Sequence, residues 1–131
     1  SNTNHYILVI DDEAAIREAV SDIFLLEDVP FLLAASGEEG LELFRQQQSQ
    51  IGLVLLDLKM AGIGGRETFL ALRKLEPRVK VILSSGFSET EISSEFQTDN
   101  IVAFLQKPYS SLRLMEFVRS ALNYAEDKAV G

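Results

Sequence analysis

The chain has 131 residues, 47% of them apolar and 24% charged, with a formal net charge of −8 from 20 acidic and 12 basic residues. That is the length and composition of one globular domain, and its acidic balance argues against direct binding to a nucleic-acid backbone, which needs clustered Lys and Arg. With no cysteine there is no disulfide or thiolate chemistry, which fits a cytoplasmic setting; no apolar run is long enough to span a membrane and no secretory leader is evident.

Residues 1–5, SNTNH, are polar and featureless and are read as disordered or left over from cloning. YILVI (6–10) predicts a first strand and runs directly into Asp11 and Asp12. Ile16, Ala19, Val20 and Ile23 then fall at i, i+3, i+4 and i+7, the stripe of an amphipathic helix. FLLAA (31–35) predicts the second strand, and Ser36-x-x-Glu39 a capping box that opens a helix with Leu41 and Phe44 on its face. LVLL (53–56) ends at Asp57; after the glycine-rich AGIGG, Phe69 and Leu72 mark a third helix. KVILS (80–84) is followed by Ser85 and the small Gly86, and Ser88-x-x-Glu91 opens a fourth helix facing inward through Ile92 and Phe96. VAFLQ (102–106) leads to Lys107–Pro108, and Met115, Val118 and Leu122 give the last helix its face. One domain over 6–124 and a tail over 125–131 complete the reading.

The apolar runs are short, rich in branched residues and apolar on both faces, as strands of a parallel sheet covered on each side should be. Alternation with helices predicts a doubly wound α/β domain: a five-stranded parallel sheet flanked by five helices. In such sheets ligands gather beyond the carboxyl ends of the strands. If strands one and three are neighbours, Asp11, Asp12 and Asp57 converge there. Three close carboxylates raise one another's pKa, and a divalent cation relieves the conflict; an all-oxygen donor set favours Mg²⁺. The single histidine, His5, precedes the first strand and reads as a solvated bystander. Ser84 or Ser85 and Lys107 reach the same rim. One carboxylate attacking phosphorus, with the cation, a hydroxyl and an ammonium on the equatorial oxygens, makes this rim suited to a phosphoryl group. Singly, each residue has an ordinary reading as a cap, a strand end or a turn; together, in this order, they read as a functional cluster.

The stretches ILVIDDE, VLLDLKMAGIGG, VILSSG and FLQKPY resemble the receiver domain of bacterial two-component response regulators, over essentially the whole chain. The resemblance implies strand order 2-1-3-4-5. It implies Asp57 as phosphoacceptor, and a Mg²⁺ site of Asp12, Asp11 (directly or through water), Asp57 and the backbone carbonyl of Lys59. Ser85, preferred to Ser84 because Gly86 follows it, aligns with the hydroxyl that moves to the phosphoryl group. Lys107 aligns with the phosphate-binding lysine, with a cis bond to Pro108, and Phe104 with the switch aromatic, whose alternative reading is simple core. Ala61 stands where the family often has proline and Gly64 where it often has aspartate, so the loop after Asp57 is expected to be more mobile.

The expected function is phosphoacceptance on Asp57 from a sensor histidine kinase or histidine phosphotransfer protein. The surface of the fourth helix, fifth strand and fifth helix would switch in response, and a phosphorylation-dependent homodimer is allowed for. Catalysis is limited to Mg²⁺-dependent self-phosphorylation and dephosphorylation. Lys59 and Phe87 flank the site, and the Phe87 ring is expected to hinder hydrolytic water. Ala14, Ala15 and Ile16 with Pro108–Tyr109 form a candidate apolar docking patch, although Ile16 reads equally well as core. The wording LSSGFSE and FLQKPYS resembles receivers attached to hybrid histidine kinases. The alternative is a phosphorylation-independent interaction module with the same fold. A phosphatase with an Asp nucleophile would want a second Asp where Lys59 stands, and a P-loop enzyme a glycine-rich loop after the first strand.

Overall fold

The computed structural model describes residues 6–60, 62–86 and 102–122. Five strands, β1 (Tyr6–Ile10), β2 (Phe31–Ala34), β3 (Ile51–Asp57), β4 (Val81–Ser85) and β5 (Val102–Gln106), form one sheet in the order β2-β1-β3-β4-β5. Every pairing is parallel. Among the described residues the helices are α1 (Ala14–Leu26), α2 (Gly37–Gln47), α3 (Gly65–Leu75) and a last helix over Ser111–Leu122, with a 3₁₀ turn at Gln48–Gln50. Both the fold class and the strand order are as expected. The predicted fourth helix, with Ser88, Glu91, Ile92 and Phe96, lies outside the described residues, as do Ala61 and Phe87.

Alternate strand residues serve opposite faces, which is why the runs are apolar throughout. Leu8, Ile10, Val54, Leu56 and Leu83 pack with Phe44 of α2 and with Phe69 and Leu72 of α3. Ile7, Val9, Leu53, Leu55 and Ile82 pack with Val20 and Phe24 of α1 and with Leu114, Met115 and Val118 of the last helix. The expected face of α1 needs correction. Ala19 is exposed, and the wall is built by Val20 and the fully buried Phe24, one turn further on. A methyl adds little by burial, so the larger ring sets the helix's rotation about its axis.

β3 is longer than LVLL: it starts at Ile51, paired with Tyr6 across a register shift, and includes Asp57. The cap of α2 forms as expected at Ser36, whose Oγ accepts the Glu39 N–H at 3.0 Å, while Glu39 Oε1 accepts from Ala35 N–H at 2.7 Å, one residue before the predicted partner. After Asp57 the chain closes tightly. Gly62 takes φ +74°, a left-handed conformation that favours glycine. At Gly65 a Cβ would lie 2.4 Å from Leu58 Cα, so α3 starts hard against the end of β3. Gly64 is the N-cap of α3, its N–H donated to Glu67 Oε1 at 2.9 Å.

Candidate functional site

Four strand ends build the site. Asp57 is the last residue of β3, beside Ser84 of β4, and Leu58 N–H carries the ladder one step further to Ser84 O at 3.0 Å. Asp11 follows β1, its N–H donated to Ala34 O of β2 at 3.1 Å. Lys107 follows β5, its N–H donated to Ser85 O at 2.8 Å. Each of these three side chains thus leaves a backbone tied to a neighbouring strand.

The side chains meet as the sequence suggests. Asp11 and Asp57 are each only 3% exposed. Lys107 Nζ lies 3.1 Å from Asp11 Oδ2 and 3.4 Å from Asp57 Oδ1. Carboxylate oxygens of Asp11, Asp12 and Asp57 lie within 4.8 Å of one another, with Asp12 on the exposed side. A cleft of about 540 Å³ bordered by Asp12, Glu13, Asp57, Lys59, Met60 and Lys107 opens onto them. The Lys107–Pro108 bond is cis, as expected.

Burial raises the Asp57 carboxyl to about 6; the charge of Asp11 adds to the rise, and Lys107 and the Lys59 N–H oppose it. For Lys107, burial works to lower the ammonium, yet the charges of Asp11 and Asp57 leave it above its ordinary value. Burial likewise pushes the Tyr109 hydroxyl up to about 12. The pocket is therefore short of positive charge, and an all-oxygen donor set of this size fits a divalent cation.

Two contributors were not foreseen. Glu13 donates its N–H to Asp11 Oδ1 at 2.9 Å and brings Oε1 within 3.6 Å of Lys107 Nζ. Arg17 Nη1 donates to the Asp11 carbonyl at 2.8 Å, pinning the turn between β1 and α1. Lys59 touches Asp57 through its N–H, at 3.2 Å from Oδ1. Ser84 and Ser85 are both buried, but strand alternation sends them to opposite faces. Ser85 borders a second cleft together with Phe104. Phe104 is half-buried and packs against the α2–α3 side of the core. Of the candidate docking patch, Ala14, Ala15 and Pro108 are exposed, whereas Ile16 and Tyr109 are half-buried against the α1 side.

A sequence model described as the response regulator receiver domain matches residues 7–119. The chain belongs to that family. Among curated relatives of this receiver, the sporulation initiation phosphotransferase F of Bacillus subtilis is 25% identical, covering 91% of the chain and 94% of the relative. The transcriptional regulatory protein FixJ of Bradyrhizobium diazoefficiens is 28% identical over 97% of the chain, and the sensor kinase CckA of Brucella abortus 30% identical over 88%. The matches span only 61% of FixJ and 12% of CckA. Among solved structures, a response regulator receiver domain protein from Clostridium thermocellum superposes with a TM-score of 0.83 at 26% identity, covering 93% of this chain and 97% of that one. TrrA from Thermotoga maritima, in complex with Mg(2+)-BeF, gives 0.78 at 30% identity, with coverages of 89% and 98%. The acidic pocket of this receiver fits the phosphoacceptor site of a two-component phosphorelay. Among the described residues no helix is long and apolar enough to cross a membrane.

Proposed function

We propose that Asp57 is the residue that takes the phosphoryl group. The observation carrying this reading is that Asp57 and Asp11, both buried, share the Lys107 ammonium at the floor of an open cleft. An Asp57 carboxylate oxygen forms the new bond to phosphorus as the P–N bond of a partner's phosphohistidine breaks, the electron pair leaving on the imidazole nitrogen. Asp11, Asp12 and Asp57, with the Lys59 carbonyl, would hold Mg²⁺; when bound, the cation neutralises carboxylate charge and polarises the phosphoryl oxygens. Lys107, already 3.4 Å from Asp57, moves onto the incoming oxygens. The Ser85 hydroxyl follows, and Phe104 turns into the space released beside it, so that the phosphoryl group biases a two-state surface.

The donor is a sensor histidine kinase or a histidine phosphotransfer protein in the cytoplasm, and small phosphodonors with Mg²⁺ support self-phosphorylation. The working unit is 6–124, with Lys59 and Phe87 setting the lifetime of the phosphate. Support comes from the shared family, from the Mg(2+)-BeF complex of TrrA, and from the three carboxylates in one pocket.

The test is an intact-mass spectrum after incubation with Mg²⁺ and acetyl phosphate, beside Asp57→Asn. One metal-dependent phosphoryl adduct, absent in the variant, is expected. An adduct that persists in Asp57→Asn would move the acceptor elsewhere. No adduct together with no beryllofluoride binding would favour a phosphorylation-independent interaction module.

A further inference from the structure

Two helices on opposite faces of the sheet carry complementary stripes that nothing in the described part of the chain covers. On α3, Arg66, Leu70 and Lys74 are all exposed and follow one another at four-residue spacing, and Arg78 extends the line into the turn beyond. Four-residue spacing places side chains on one face. On α1, Glu18, Asp22 and Leu26 form the matching line, and Asp28 follows in the next turn. Leu70 is 51% exposed, Leu25 65% and Leu26 84%, making them three of the four large exposed apolar side chains among the described residues. None of the six charged side chains has an ion-pair partner among those residues. The ion pair of Glu27 with Arg119, at 2.8 Å, holds the end of α1 against the last helix and leaves the leucines facing outward.

The two stripes match when run antiparallel. Leu70 then faces Leu26 and Lys74 faces Asp22, a register that the equal rise of the two helices fixes. Arg78, in the turn after α3, and Asp28, in the turn after α1, add charge of the matching sign at the two ends, towards Glu18 and Arg66. Because α1 and α3 lie on opposite faces of the sheet, one molecule cannot make this contact with itself.

We infer that the α3 stripe docks against the α1 stripe of a second copy of this chain. The contact is head-to-tail, so each copy keeps one free stripe of each kind and association proceeds to open chains rather than closing at a dimer. A patch of this size with exposed charge pairs is weak and salt-sensitive. It does not depend on phosphorylation and stands apart from the acidic pocket.

Sedimentation velocity of the unphosphorylated chain across a concentration series, at low and high salt, tests it. Wild type is expected to sediment faster as concentration rises at low salt, without a plateau at dimer, and to revert at high salt. Lys74→Glu with Arg78→Glu, and separately Glu18→Lys with Asp22→Lys, each lose association by at least about tenfold, since two matched pairs become repulsive. An equimolar mixture of the two variants regains it, because each now offers the stripe the other lacks. All four residues are exposed, so both variants keep the fold. A wild type that stays monomeric, a plateau at dimer, or a mixture that does not associate overturns the inference.

Discussion

Changing Asp57 to Asn removes the charge that burial most disfavours and keeps the side chain's shape. Folding raises the Asp57 carboxyl from 3.8 to about 6, so the folded chain holds this proton more tightly than the unfolded chain. The favourable contribution is complete below 3.8 and is lost as pH rises through about 6. A difference of about two pH units, at ~1.4 kcal/mol each, makes ionised Asp57 a cost of about 3 kcal/mol in metal-free protein. The attraction of Lys107 is already contained in that figure, and Asn carries no such cost. Urea denaturation of the metal-free proteins should therefore give similar stabilities near pH 4 and an advantage of about 2–3 kcal/mol for Asp57→Asn near pH 8. Adding Mg²⁺ narrows the gap, because a cation that binds the folded wild type stabilises it in proportion to ligand excess. An Asn variant no more stable than wild type at the higher pH would refute the reasoning: the Lys107 pairing would then outweigh burial.

Lys107→Met keeps the aliphatic stem but leaves two buried carboxylates without their shared cation; metal-free stability at neutral pH should fall by about 3 kcal/mol and recover in part with Mg²⁺, as read by thermal melts. Gly65→Ala sets a Cβ 2.4 Å from Leu58 Cα and 2.6 Å from the Asp57 carbonyl. Because backbone has to yield, a loss of about 2 kcal/mol is expected in urea, with weakened Mg²⁺ binding in calorimetry. Ser36→Ala removes the oxygen that accepts the Glu39 N–H and should cost about 1 kcal/mol without changing Mg²⁺ affinity.

The strands were legible because residues buried on both sides leave unbroken apolar runs, and the polar residues that end those runs mark the rim. Asp11, Asp57 and Lys107 could be read on that ground alone. Glu13 and Arg17 could not, since their contacts depend on how the turn after β1 aims them, which no periodicity encodes. A better clue existed for Phe24: extending the Ile16–Val20 spacing by four residues reaches it. Likewise, the alternation along β4 separates Ser84 from Ser85 without reference to relatives. The length of β3 was underestimated because Ile51 and Gly52 are only half-buried and its last residue is a carboxylate.

Lys107 stands within 3.6 Å of three different carboxylates. A lysine in that position acts as a tethered placeholder for any visiting cation. It cannot diffuse away, so the buried carboxylates of Asp11 and Asp57 keep a positive partner whether or not a cation is present. A competing ion must displace a tether whose return is limited only by rotation about a few bonds. Any cation that enters therefore competes with a charge that is already in place.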